Sequence, residues 1–178
     1  LYDTDRYKTM DTTRKRTFSW DDPMTGAKAA QSMSGLQYLE AMRDGHLPLP
    51  PLLHTLDFHV ASLAKGEVAF AFMPQEFHYN PIGSVHGGVI SAILDSATGC
   101  ALHSTLEAGV GYTTLELKVN FLRAVTPAKG ELRAVGKVIH AGKRTALTEA
   151  QLVDARGTLY AHAVSTCMIL EHGDAGKK

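Results

Sequence analysis

The sequence predicts an α+β fold, with one antiparallel β-sheet wrapped around a single long central helix and a helical extension at the N-terminus. Three observations predict it. Residues 87–107 read as a helix that is apolar on nearly every side. Toward the C-terminus, runs of alternating apolar and polar residues are separated by glycine turns. The chain has 178 residues, 44% of them apolar, which suits one domain with a substantial core. The expected organisation is an N-terminal extension over residues 1–52 with one helix, a main domain over 53–170 and a tail over 171–178.

Residues 1–26 are charged and polar, and little regular structure is expected there; Phe18 and Trp20 are the candidates to anchor the segment. Over residues 27–43, Met33, Leu36, Leu39 and Met42 recur at three-residue steps, predicting a helix. Gly45 ends it, and Pro48, Pro50 and Pro51 forbid its continuation. Leu56, Phe58 and Val60 then alternate with polar neighbours. After the turn Ala64-Lys65-Gly66, Val68, Phe70 and Phe72 alternate again, so the pair reads as a β-hairpin. Residues 75–85 form a loop. The apolar helix follows and closes near Gly109 and Gly111; its apolar surround predicts burial all round. Leu115, Leu117, Val119 and Phe121 alternate as a strand. Runs over 131–140, 145–153 and 158–170, joined by Gly-containing turns, complete an antiparallel meander.

Eighteen basic and eighteen acidic residues give zero formal net charge, which argues against a nucleic-acid partner bound through a basic excess. Cys100 and Cys167 are too far apart in sequence for a disulfide framework or zinc knuckle, and the nine histidines show no metal-binding spacing, so no metal is expected. The polar first twenty residues argue against a signal peptide. The longest apolar run is broken by Ser91, Asp95 and Ser96, so no membrane association is expected and the assignment is cytoplasmic.

The segment HYNPIGSVHGGVISAILDSATG carries the most chemistry. Asp95 lies mid-helix among Ile, Leu, Ala and Val. An ionised carboxylate there needs a partner or a polar cleft, either as a local structural hydrogen-bonder or as a general base or nucleophile. His86-Gly87-Gly88 opens the helix, where unpaired N–H groups and the helix dipole can receive an oxyanion; close packing against the sheet is the alternative use of two glycines. Gly87 and Asp95 are eight residues apart, about 12 Å along a helix axis. One helix therefore cannot bring both to one carbonyl. Two antiparallel copies about a two-fold axis can, so if both groups are catalytic the sequence implies a homodimer with two equal sites.

This block, with TTLELKVNFLRAVTPAKGEL after it, resembles the acyl-CoA thioesterases of the hotdog fold, in the PaaI-like branch. The shared pattern is Asn-x-x-Gly-x-x-His-Gly-Gly followed by Asp, and the resemblance spans about residues 53–170. It implies that the Gly87 N–H polarises the thioester carbonyl. Asn80 helps bind the carbonyl or the water, and His86 supports the loop and contacts substrate. Asp95 of the partner chain activates water or attacks directly, with Thr114 near the water. It further implies that Gly88, Asn120, Arg123 and the turn Gly142-Lys143-Arg144-Thr145 serve the coenzyme A arm; Lys143 and Arg144 could equally be a solvated hairpin tip. No cofactor is implied beyond the coenzyme A thioester substrate itself, and whether dimers pair into tetramers is left open. Two rival readings remain at this stage: an acyl-thioester dehydratase or hydratase on the same fold, and a non-catalytic acyl-CoA-binding module.

Overall fold

The computed structural model describes residues 13–170. Twelve elements follow in order: α1 (Pro23–Ala29), α2 (Gly35–Arg43), α3 (Pro51–Leu56), β1 (Phe58–Ala64), β2 (Glu67–Phe72), a 3-10 turn (Glu76–His78), α4 (Gly87–His103), β3 (Gly111–Phe121), a second 3-10 turn (Pro127–Lys129), β4 (Leu132–Ala141), β5 (Thr145–Asp154) and β6 (Leu159–Leu170). The six strands form one antiparallel sheet in the order β1-β2-β4-β5-β6-β3.

The sheet curls around α4, and its inner face has to be low for the helix to approach. Small residues do this: Ala134 and Gly136 on β4, Ala150 on β5, Ala161 and Ala163 on β6, with the alanines fully buried. At Gly136 the approach is closest; a Cβ there would lie 2.1 Å from the Ala97 carbonyl oxygen. Ile90, Ile93, Leu94 and Ala97 of α4 pack against Phe58, Phe70 and Phe72 of the β1–β2 hairpin, making the core.

Several expectations need correction. The N-terminal helix is not continuous over 27–43. The chain breaks at residues 30–34, and Ser34 starts a new helix with a capping box: its hydroxyl accepts from Gln37 N, and Gln37 Oε1 accepts from Ser34 N. Helical structure also begins earlier, at Pro23, because Asp22 caps α1 by accepting from Met24 N. Helix α2 does end before Gly45, at Arg43, but Pro51 does not only forbid helix: it takes the first position of a new one, where a missing N–H costs nothing. Consequently β1 starts at Phe58, after Asp57 in the left-handed region (φ 55°), rather than at Leu56. The residue 52/53 division falls inside α3. The tail 171–178 lies outside the described residues.

Helix α4 is not buried all round. Gly88 is exposed, and Ser91, Ala92, Asp95 and Ser96 are half-buried, so one stripe stays open while the opposite side is sealed. On β3 the alternation is shifted by a bulge between Thr114 and Glu116. The extra residue, Leu115, turns outward while Thr114, Leu117 and Val119 are half-buried. Phe121, expected inside, is exposed. At the N-terminus the anchor is Arg16 rather than Trp20: Arg16 donates to the His54 and Thr55 carbonyls and lies 4.0 Å over the Phe77 ring.

Candidate active site

Asp95 and Thr114 line one cleft, beside the middle and second half of α4, and Asn80, Gly87 and Arg123 line another, at its start. The first, about 430 Å³, holds Asp95 and Thr114. Thr114 Oγ1 donates to Asp95 Oδ1 at 2.9 Å, a bond made possible by the bulge that turns Thr114 and not Leu115 toward the helix. The remaining walls are apolar or neutral: Met42, Leu53, Val60, Phe70, Cys100 and Tyr112. Burial pushes the Cys100 thiol up to about 12 and raises the Tyr112 phenol well above its ordinary value. Both therefore stay protonated and neutral, and Asp95 is the one carboxylate among the cleft residues. Among the nearby aromatic and methionine side chains, Phe70 lines the cleft, Phe58 and Phe72 are core, and Met73 and Tyr79 are exposed.

The second cleft, about 370 Å³, contains Asn80, Gly87, Phe121 and Arg123. Here the loop before α4 is organised by its own side chains. Asn80 Oδ1 accepts from Ile82 N and Ser84 N, and Asn80 Nδ2 donates to Ser84 Oγ. The asparagine is thus a loop staple, with one Nδ2 proton left over for another acceptor. His86 caps α4: its Nδ1 accepts from Gly88 N at 2.8 Å, and its own N–H donates to the His78 carbonyl. Among the described residues the Gly87 N–H has no hydrogen-bond partner, so the first turn of α4 presents one unpaired donor at the cleft. A Cβ on Gly87 would lie 3.1 Å from Phe121 Cζ, so the glycine gives the cleft its access.

The remaining candidates divide in the same way. Gly142, Lys143, Arg144 and Thr145 form the exposed β4–β5 hairpin tip, with Gly142 N donating to the Thr145 carbonyl. Thr145 pairs with Met168, which in turn pairs with Thr113, so this tip sits at the Asp95 end of the sheet. Asn120 and Arg123 lie at the other end, where Arg123 donates to the Leu159 carbonyl. One chain therefore does not bring the two groups together. Sequence reasoning missed Met42, Leu53, Cys100 and Tyr112 as cleft residues. An apolar side chain facing a cleft and one facing a core have the same pattern, so no sequence signal separates them.

His78 joins the two regions. It is 2% exposed; its Nδ1 accepts from Gln75 N and its Nε2 donates to the Leu56 carbonyl, tying the Asn80 loop to the end of α3. Among the described residues no three His, Cys, Asp or Glu side chains cluster as a metal site, and no helix is long and apolar enough to cross a membrane.

Comparison with known proteins agrees with this geometry. The family model of the thioesterase superfamily matches residues 82–161, which span the Gly87 helix start, Asp95 and Thr114. Human acyl-coenzyme A thioesterase 13 is 31% identical over 110 residues, covering 60% of this chain and 76% of that protein. The 1,4-dihydroxy-2-naphthoyl-CoA hydrolase of Listeria monocytogenes is 26% identical over 118 residues, covering 66% of this chain and 93% of its own length. Among solved structures, a phenylacetic acid degradation-related protein of Ralstonia eutropha superposes with a TM-score of 0.67 at 30% identity, covering 74% of this chain and 98% of that one. The Escherichia coli PaaI protein shares the fold with the same TM-score at 22% identity, over 79% and 97% of the two chains. The chain belongs to the thioesterase superfamily and is a thioester hydrolase of the hotdog fold.

Proposed function

We propose that the protein hydrolyses acyl-CoA thioesters in a homodimer, at two sites each built from both chains. The observation that carries this reading is the separation of the two clefts. Asp95 with Thr114 lies at one, and the unpaired Gly87 N–H with Asn80 lies at the other. Neither cleft alone holds both the Asp95 carboxylate and the unpaired Gly87 N–H of the helix start. An antiparallel partner helix would set the Gly87 end of one chain against Asp95 of the other. The same inversion would put the Lys143–Arg144 tip of one chain near Asn120 and Arg123 of its partner, reuniting the residues expected to meet coenzyme A. Two surfaces support such a partner. Strand β3 is a long edge strand, and Leu115, Phe121 and Leu122 on and just beyond it are more than half exposed. The open stripe of α4 carries Ser91, Ala92 and Ser96 beside Asp95.

In this mechanism Asp95 takes a proton from water while the water oxygen attacks the thioester carbon. The carbonyl electrons move onto oxygen, which the Gly87 N–H and the dipole of α4 stabilise. Collapse of the tetrahedral intermediate breaks the C–S bond. The coenzyme A thiolate leaves and the proton on Asp95 is returned to it, giving a carboxylic acid and free thiol. Thr114 holds Asp95 by one oxygen, leaving the other for the water. His86 Nδ1 is occupied as the helix cap, accepting from Gly88 N, which disfavours its use as the proton carrier of a His–carboxylate hydratase.

The test is thiol release over short, medium, long and aromatic acyl-CoAs. Wild type should release thiol from a saturated substrate, which a hydratase leaves untouched. Asp95→Asn should lose roughly 10²–10⁴ in kcat with fold and assembly intact. Full activity in that variant refutes the assignment, and tight acyl-CoA binding without turnover in wild type would favour a binding module.

A further inference from the structure

The cleft beside Asp95 is not built from the family-matched region alone. That match begins at residue 82, whereas Met42, Pro50, Leu52 and Leu53 of the cleft come from the α2–α3 segment. Resting on the acyl-CoA reading above, we infer that α2–α3 is a fixed wall of the acyl pocket and sets the largest acyl group accepted, with Met42, Leu52 and Leu53 as its specificity-determining side chains.

The pocket's lining states the substrate class. Asp95 at the reacting end is the one carboxylate among the cleft residues, which include no basic side chain; Val60, Phe70 and Cys100 join α2–α3 in the apolar lining, and Ser96, Tyr112, Thr113 and Thr114 bring hydroxyls. An anionic acyl group would enter without a cationic partner, so the acyl group is uncharged. At about 430 Å³ the cleft lies toward the small end of the usual 300–1,000 Å³ for ligand pockets. It suits a short or medium acyl group rather than a long chain.

Whether a wall sets a limit depends on whether it can recede, and this one is tethered at both ends. Gly35 N donates to the Leu106 carbonyl, and α2 sits so close to the end of α4 that a Cβ at Gly35 would lie 1.7 Å from the His103 carbonyl oxygen. At the other end Arg16 holds the His54 and Thr55 carbonyls, and His78 holds that of Leu56. Met42 and Leu53 are buried between these tethers. A wall fixed in this way gives a sharp cut-off in chain length.

The experiment measures kcat/KM over saturated straight-chain acyl-CoAs from butyryl-CoA to palmitoyl-CoA, for wild type, Met42→Ala, Leu53→Ala and Leu52→Trp. Wild type should gain roughly fourfold per added methylene, the equivalent of about 0.8 kcal/mol, up to a cut-off, then fall steeply. The two alanine variants should move the cut-off to longer chains, raising the long-to-short preference roughly tenfold or more. Leu52 is 45% exposed, so Leu52→Trp adds bulk at the rim without a core cavity, and it should move the cut-off to shorter chains. Thermal melts identify any variant that fails to fold, and Leu52→Trp then decides. If wild type turns over acyl-CoAs and folded variants keep its chain-length profile, the wall is refuted alone. If wild type releases thiol from an aromatic acyl-CoA but from none of this series, the wall as a chain-length limit is refuted alone; if it releases thiol from neither, the acyl-CoA reading falls and the wall with it.

Discussion

Replacing Gly87 by proline removes one N–H and little else. Gly87 is the first residue of α4, a position whose N–H has no partner within the helix and where proline is well accommodated. His86 has ψ 136°, within the range a residue before proline adopts. The new ring would press on Phe121 Cζ, 3.1 Å from the Cβ position, and that ring is more than half exposed and can move. If the N–H is the oxyanion donor, its loss should cost about 2.7–4 kcal/mol of transition-state stabilisation, or roughly 10²–10³ in kcat. Pairing this variant with Asp95→Asn tests the two-chain site directly. Each variant alone lacks one half at both sites. A heterodimer of the two, co-expressed with different tags and purified on both, holds one site with the intact Gly87 N–H of one chain and the intact Asp95 of the other. It should show roughly half the wild-type turnover per dimer. In a site built within one chain, every site of the heterodimer carries a lesion. A heterodimer no more active than its parents would therefore refute the reasoning, as would a Gly87→Pro enzyme with full activity.

Other consequences follow from the same geometry. Lys143→Ala with Arg144→Ala should raise KM roughly twofold to thirtyfold with little change in kcat, and the effect should shrink as salt rises, because exposed charge pairs of this kind contribute about 0.2–1 kcal/mol each; initial rates at low and high ionic strength check this. Burial lowers the pKa of His78 and of His103, the former against raising contributions from its hydrogen bonds to Leu56 and Gln75. Above about pH 6.5 both folded and unfolded chains hold these rings neutral; below it the unfolded chain takes up protons the folded chain resists. Stability should then fall as the pH drops below about 6.5, and urea denaturation should show a shallower fall in His78→Gln than in wild type. Gly35→Ala should destabilise by roughly 1–3 kcal/mol or more, since its Cβ would overlap the His103 carbonyl and force α2 away from α4; a lowered Tm together with a blurred chain-length cut-off is the expected result.

Much of this protein can be read from sequence because its strongest signals are local and periodic. A helix of Ile, Leu, Ala and Val has to be enclosed, and alternating runs between glycine turns pair as hairpins. The Asn80-to-Asp95 pattern marks where chemistry sits, and eight residues of helix rise are enough to separate Asp95 from Gly87. Thr114 is legible only through the resemblance to hotdog thioesterases, since a plain two-residue period with Leu115, Leu117 and Val119 inward puts it on the other face. What the tertiary structure decided is what depends on contacts between distant residues. The bulge at Leu115 is set by pairing with β6, so no alternation along β3 alone discloses that Leu115 points out and Thr114 meets Asp95. The helix break at Ser34 is a capping choice enforced where Gly35 abuts the His103 and Leu106 carbonyls. Met42 and Leu53 carry the same hydrophobic signature whether they close a core or a pocket. Only the packing of α2–α3 against β1 and α4 leaves space beside them, because volume is a property of the assembled elements and not of any one segment.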